Sequence, residues 1–263
     1  MEPILSGPIL VFDSGIGGLS VMNQIRKQLP QHDYCYLFDN ARLPYGNLSE
    51  QELITGCVAL ITHHARRLNA SIVVVACNTA STLVLPLLRQ QLTIPIVGVV
   101  PAIKPAAMLS KKKHIGLLAT PGTVKRDYTQ ALINQFAGNC KVELFGTSDL
   151  VLLAEQYVAQ QQIDMDKLNE ILAPIAASNI DVLVLGCTHF PMIATEISHY
   201  LGEGVTLLDS GEAVAKRVRF LLSKESNSNK QLQACYTKDI GQGLKAALVD
   251  YGFSDFSLVT ITD

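Results

Sequence analysis

Charge is scarce in this 263-residue chain: Asp, Glu, Lys and Arg make up 17% of it, against 48% hydrophobic residues. Such a chain can bury a core over most of its length, which excludes long disordered tracts. Nor is charge concentrated. The formal net charge is −2, and the one basic run, Lys111-Lys112-Lys113, reads as a solvated turn. A nucleic-acid partner needs a broader basic face, so none is expected. No apolar run approaches the roughly 20 residues of a membrane helix, and Met1-Glu2-Pro3-Ile4-Leu5 lacks the regions of a signal peptide. The expectation is a cytoplasmic protein without a membrane partner. Paired cysteine spacing is missing as well. Cys35, Cys57, Cys77, Cys140, Cys187 and Cys235 show no C-x-x-C and no Cys/His pair at zinc spacing, which argues against a metal site or a disulfide framework. No Gly/Ser-rich linker occurs, and Glu225–Lys230 reads as a polar surface loop.

What is present is a regular alternation. Strand-like runs fall near residues 8–13, 34–39, 72–77, 95–99, 114–119, 140–145, 181–187, 204–208, 232–236 and 257–261, with helical segments between them. Alternation of this kind predicts parallel α/β sheets, and so many strands favour two α/β lobes over one open sheet. Ser49 and Glu52 are spaced as a capping box opening a helix that runs to about Asn69. Pro30, Pro86, Pro101, Pro121 and Pro191 are expected at element ends or first turns. Cys35, Cys57, Cys140 and Cys235 sit inside strand or helix patterns and read as small core residues.

Two segments rhyme: Val73-Val74-Val75-Ala76-Cys77-Asn78-Thr79 and Val182-Leu183-Val184-Leu185-Gly186-Cys187-Thr188-His189. Each is a buried parallel strand delivering a thiol to the edge where ligands bind. A helix beginning beyond Cys77 would present the N–H groups of Asn78 and Thr79 to an anion and lower the thiol's pKa. Thr188 is read as the equivalent cap at Cys187, with His189 able to orient or protonate. One such cysteine reads as packing; two in matching motifs point to proton transfer on both faces of a substrate. A protease-like Cys187–His189 pair is a weaker reading, because such partners are usually distant in sequence and Cys77 is left without a task.

Phe12-Asp13-Ser14-Gly15-Ile16-Gly17-Gly18 follows the first strand. A dinucleotide fold would also place Gly15-x-Gly17 there, with Asp39 at the ribose, but Ser20 stands at the third glycine position and Asp13 would repel a pyrophosphate. As a tight turn opening a helix the segment suits a carboxylate, with Asp13 and Ser14 suited to an ammonium group or a neighbouring base; the plain alternative for Asp13 is a helix N-cap. Pro44-Tyr45-Gly46 is a turn at the same sheet edge that offers N–H groups and a tyrosine hydroxyl. From spacing alone, Glu155 reads as a solvated helix residue.

Taken together, Phe12-Asp13-Ser14-Gly15-x-Gly17-Gly18, Pro44-Tyr45-Gly46, Ala76-Cys77-Asn78-Thr79 and Gly186-Cys187-Thr188-His189-Phe190-Pro191 resemble the glutamate racemases of the aspartate/glutamate racemase family. The resemblance implies two pseudo-symmetric α/β lobes, residues 1–98 plus 209–263 and residues 99–208, with the site between them. It also implies a cofactor-independent, metal-free isomerase that interconverts L- and D-glutamate and supplies D-glutamate for peptidoglycan, and hence for cell-wall biogenesis and cell shape. Cys77 and Cys187 become the acid/base pair, assisted by Asp13 and His189. The substrate would meet Asp13, Ser14, Pro44, Tyr45, Gly46, Cys77, Asn78, Thr79, Thr188 and His189, and Glu155 matches a further acidic position. A homodimer and activation by a cell-wall precursor are the partner expectations. The rival readings are a racemase for aspartate or another amino acid, against which His189 counts, and a non-catalytic binder of an acidic amino acid.

Overall fold

The computed structural model describes residues 7–222 and 229–260. The chain opens with β1 (Ile9–Asp13), a 3₁₀ turn at Ile16–Gly18, α1 (Leu19–Gln28), β2 (Tyr34–Phe38), a 3₁₀ turn at Tyr45–Asn47, α2 (Glu50–Arg67), β3 (Ile72–Val75), α3 (Asn78–Gln91) and β4 (Ile96–Gly98). It continues through α4 (Ile103–Leu109), β5 (His114–Ala119), α5 (Pro121–Val124), α6 (Asp127–Phe136), β6 (Lys141–Gly146), α7 (Asp149–Gln160), α8 (Met165–Ala176), β7 (Val182–Leu185), a 3₁₀ turn at Phe190–Ile193, α9 (Ala194–Leu201) and β8 (Thr206–Leu208). The last elements are α10 (Gly211–Leu221), β9 (Leu232–Tyr236), α11 (Gln242–Asp250) and β10 (Asp255–Leu258).

The strands form two wholly parallel sheets, one in the order β10-β9-β2-β1-β3-β4 and the other β6-β5-β7-β8. Helices cover both faces, which explains the unbroken apolar strands. Along β1, Ile9 and Val11 pack toward α1 and α10, while Leu10 and Phe12 pack toward α2 and α3. In the second sheet Leu118, Leu183 and Leu185 meet α7, α8 and α9, and Ile115, Leu117, Val182 and Val184 meet α4. Each fully buried aliphatic side chain contributes roughly 1.5–3 kcal/mol.

All ten predicted strands exist, but the final one is Asp255–Leu258 rather than 257–261. Pro86 lies inside α3, not at an end; the packing of Val84 and Leu88 against the sheet outweighs its missing N–H. Cys35, Cys57 and Cys235 are core residues as expected, whereas Cys140 precedes β6 and is half-buried. The predicted loop at 225–230 falls largely outside the described residues.

The capping box forms as read: Ser49 Oγ accepts from the Glu52 N–H at 3.3 Å, and Glu52 Oε2 accepts from the Ser49 N–H at 3.1 Å. It anchors α2 directly after the Pro44-Tyr45-Gly46 turn. Replacing Ser49 by Ala is expected to cost about 1 kcal/mol in urea unfolding; unchanged stability would show that the helix does not depend on its cap.

Candidate active site

Residues just beyond β1, β2 and β3 meet those just beyond β5 and β7 in one buried cluster. Several hydrogen bonds join the two halves there: Thr188 donates its hydroxyl to Asp13 Oδ2 at 2.9 Å, the Thr79 and Thr120 hydroxyls pair at 2.9 Å, and the Ser20 hydroxyl donates to the Thr188 carbonyl at 2.9 Å. At the rim, Ser148 donates to Asn47 Oδ1 at 2.9 Å and Arg126 pairs with Glu50.

Asp13 has no exposed surface. Its Oδ1 accepts from the Ser14 N–H at 2.7 Å, and the turn that follows has no side-chain cap, so Asp13 is not an N-cap. Burial raises its pKa; the His189 charge, the Ser14 N–H, the Thr188 hydroxyl and the Cys77 thiol offset only part of that rise.

Cys77 stands at the N-cap position of α3, as the sequence implies, with Sγ 3.9 Å from Ser14 Oγ. The expected lowering of its pKa is not what the structure shows. Burial first, then the Asp13 charge, pushes the thiol well above its ordinary value, and the Ala80 N–H at the helix start does not reverse this. Cys187 lies close enough for its charge to act on Cys77. Its Sγ is 3.7 Å from His189 Nδ1, so local geometry does bring these two together. Thr188 caps no helix: a 3₁₀ turn follows His189, and the Thr188 hydroxyl is committed to Asp13.

Glu155 is not the solvated residue its spacing implied. Its Oε1 accepts from His189 Nε2 and from the Ile16 N–H, each at 2.8 Å. The anion expected at the glycine turn is therefore supplied by the chain itself. Burial works against a charged His189, but its contacts with Cys187 and Glu155 outweigh that and hold its pKa well above the usual imidazole value. A signal for Glu155 was present: it falls on the same helical stripe as Val151 and Val158, both buried.

The glycine run is explained by close packing between loops. A Cβ on Gly17 would sit 2.5 Å from His189 Nδ1 and 2.6 Å from Thr188 Oγ1. Tyr36 supports the loop from below by donating its hydroxyl to the Gly15 carbonyl at 2.5 Å.

The Tyr45 hydroxyl is not free for a ligand: it donates to Asp39 Oδ2 at 2.5 Å. Asp39 also accepts from Arg42 Nε at 2.6 Å and from the Thr237 hydroxyl at 2.7 Å, which removes it as a ribose carboxylate. Pro44 leads into the 3₁₀ turn, and Gly46 presses on the second sheet, where a Cβ would lie 2.8 Å from Thr120 Cβ. At the start of α3, Asn78 Oδ1 is buried without a hydrogen-bond partner, and Thr79 bonds both Thr120 and Thr123. Thr120 and Thr123 were not read from the sequence. The rule that found Cys187 at the end of β7 would have found Thr120 at the end of β5, ahead of Pro121 in the first turn of α5.

The sequence pattern of the Asp/Glu/Hydantoin racemases matches residues 9–218. The chain belongs to the Asp/Glu/Hydantoin racemase family. A glutamate racemase from Shewanella frigidimarina is 99% identical over 98% of this chain and 100% of its own length. The crystal structure of Escherichia coli glutamate racemase, solved with L-glutamate and the activator UDP-MurNAc-ala, is 43% identical with a TM-score of 0.91, covering 97% of this chain and 98% of that one. The Francisella tularensis glutamate racemase, solved with D-glutamate, has 25% identity and a TM-score of 0.79, covering 98% and 99%. The two parallel sheets are thus the α/β fold of these racemases.

Because the Asp13 charge helps hold the Cys77 thiol protonated, Asp13→Asn should ease its ionisation. The pH midpoint of Cys77 alkylation by iodoacetamide, followed by mass spectrometry, is expected to move to lower pH in that variant. A midpoint that stays or rises would contradict the electrostatic coupling.

Proposed function

We propose that the protein racemises glutamate without a cofactor, by two-base proton transfer at Cα, and so supplies D-glutamate for peptidoglycan. The observation that carries this reading is the pair of buried strand-end thiols with different partners: Cys77 beside Asp13, and Cys187 beside His189 and Glu155. Membership of the racemase family and full-length similarity to glutamate racemases support it.

In one direction the Cys77 thiolate takes the Cα proton of D-glutamate while the Cys187 thiol delivers a proton to the opposite face. In the other direction the roles exchange, and the substrate need not rotate. Asp13 is suited to accept the Cys77 proton, since burial raises its pKa toward a basic role. His189, held by Glu155, exchanges a proton with Cys187. An amino-acid Cα–H is a very weak acid, so carbanion character needs fixed donors in a dry site. Asn78 and the N–H groups at the start of α3 meet the α-carboxylate, while Ser14, Asp13 and Thr188 lie beside the ammonium group. The backbone of Tyr45 and Gly46, with Thr79, Thr120 and Thr123, receives the far carboxylate.

The chain then divides into two lobes, residues 1–98 plus 209–263 and residues 99–208, with the site in the cleft between them. The proposal also includes a homodimer in the cytoplasm; no described helix is long and apolar enough to cross a membrane. Regulation by a cell-wall precursor is carried over from the activator bound by the E. coli protein.

Purified protein in D₂O is expected to erase the circular dichroism of either glutamate enantiomer and to place deuterium at Cα, read by proton NMR. Turnover of aspartate alone would keep the chemistry and move the substrate; inertness toward both would favour a binding protein. Cys77→Ser and Cys187→Ser should each cut racemisation about 10²- to 10⁴-fold with the fold intact. Full turnover in either variant would end the two-base scheme.

A further inference from the structure

Arg42 makes more contacts than its place in a surface turn requires. Its Nε donates to Asp39 Oδ2 at 2.6 Å, its Nη1 to the Glu52 carbonyl of α2 at 3.0 Å, and its Nη2 to the Tyr45 hydroxyl at 3.3 Å. The guanidinium also lies 5.5 Å from the centroid of the Tyr45 ring. One planar group therefore spans the end of β2, the Tyr45 side chain and the first turn of α2, so both flanks of the Pro44-Tyr45-Gly46 turn are tied down. A point charge cannot do this, whereas the fixed fork of arginine can.

Room for that fork comes from Gly56. Glycine is a poor helix former, and Gly56 sits inside α2. A Cβ there would lie 1.6 Å from Arg42 Nη1, 2.2 Å from Cζ and 2.4 Å from Nη2. All three nearest atoms belong to the end of one flexible side chain. Alanine at this position thus displaces the guanidinium while leaving the charge, the helix and the remaining core in place.

We propose that Arg42, seated in the notch at Gly56, is a positioning residue for the reaction. It holds the Tyr45–Gly46 backbone at the distance from Thr120 and Thr79 that fits the substrate's far carboxylate. Arg42 acts through the turn and touches no reacting atom. The two thiols stand just beyond β3 and β7, and Arg42 bonds neither of them, so its loss weakens substrate binding more than the proton transfers. The inference rests on the reading of this cluster as a glutamate racemase site.

The test is a kinetic series on the full chain: Arg42→Lys, Arg42→Ala, Gly56→Ala and the double variant Arg42→Ala/Gly56→Ala. Arg42→Lys keeps the charge beside Asp39 but not the fork, and Gly56→Ala keeps the arginine but not its seat. Both are expected to raise KM for glutamate at least tenfold while kcat changes less than threefold and the thermal midpoint of unfolding holds. Gly56→Ala added to Arg42→Ala should raise KM no further, because the notch matters only when the guanidinium is there to fill it. Unchanged KM in folded Gly56→Ala and Arg42→Lys, a loss confined to kcat, or additive effects in the double variant would each overturn the inference. A wild-type protein inert toward both glutamate enantiomers would instead remove the glutamate reading and this inference with it.

Discussion

A carboxylate without solvent is the constraint on which this site is built. Asp13 ends the central strand of the larger sheet, and burying its charge is unfavourable unless donors surround it. The chain supplies one from the next residue, the Ser14 N–H, and one from the other sheet, the Thr188 hydroxyl. The second of these sets the approach of the two sheets. With Thr188 brought onto Asp13, His189 presses into the glycine turn and meets Glu155, and Cys187 comes near enough to act on Cys77. Removing side chains at Gly15 and Gly17 is what lets the loops come so close. A larger residue at either position would separate them and leave the Asp13 charge without its cross-sheet donor.

The parts of the molecule governed by apolar pattern were legible in the sequence. Runs such as Ile72–Val75 and Val182–Leu185 are buried on both faces, and their short length, valine content and flanking turn residues mark them as strand rather than helix. The last strand was misplaced because Asp255–Leu258 lies at the sheet edge, half exposed, where no apolar run marks its bounds. The position of Cys77 and Cys187 just beyond β3 and β7 was legible because strand ends are local features with a known geometric consequence. The partners of the polar side chains were not. Glu155 and His189 are far apart in the chain, Thr79 meets Thr120 across the junction, and Tyr45 turns its hydroxyl inward to Asp39. A residue's type names what it can bond, but the choice among partners is made by whichever buried group would otherwise be left unsatisfied.

The pKa of Cys77 shows the same limit in energetic form. A helix start lowers a thiol's pKa through a partial charge of the aligned peptide dipoles. That reading assumes exposure, and here the surroundings are dry and already hold a carboxylate. Desolvation and like charge act in the same direction, and together they exceed what the helix start provides. The order of these effects depends on packing, which no local motif records.

The two thiols are unequally equipped, one backed by a carboxylate and the other by an imidazole paired with a carboxylate. Mirror-image substrates have equal free energies in water, so no arrangement of the site can favour one enantiomer at equilibrium. For the proposed reaction this obliges kcat/KM to be the same in both directions, however different the two bases are. The asymmetry must then appear within each ratio: the enantiomer bound more tightly is also the one turned over more slowly at saturation. A protein with two dissimilar halves is therefore free to adjust which enantiomer it holds, and how its rate responds as one accumulates, without altering where the reaction ends.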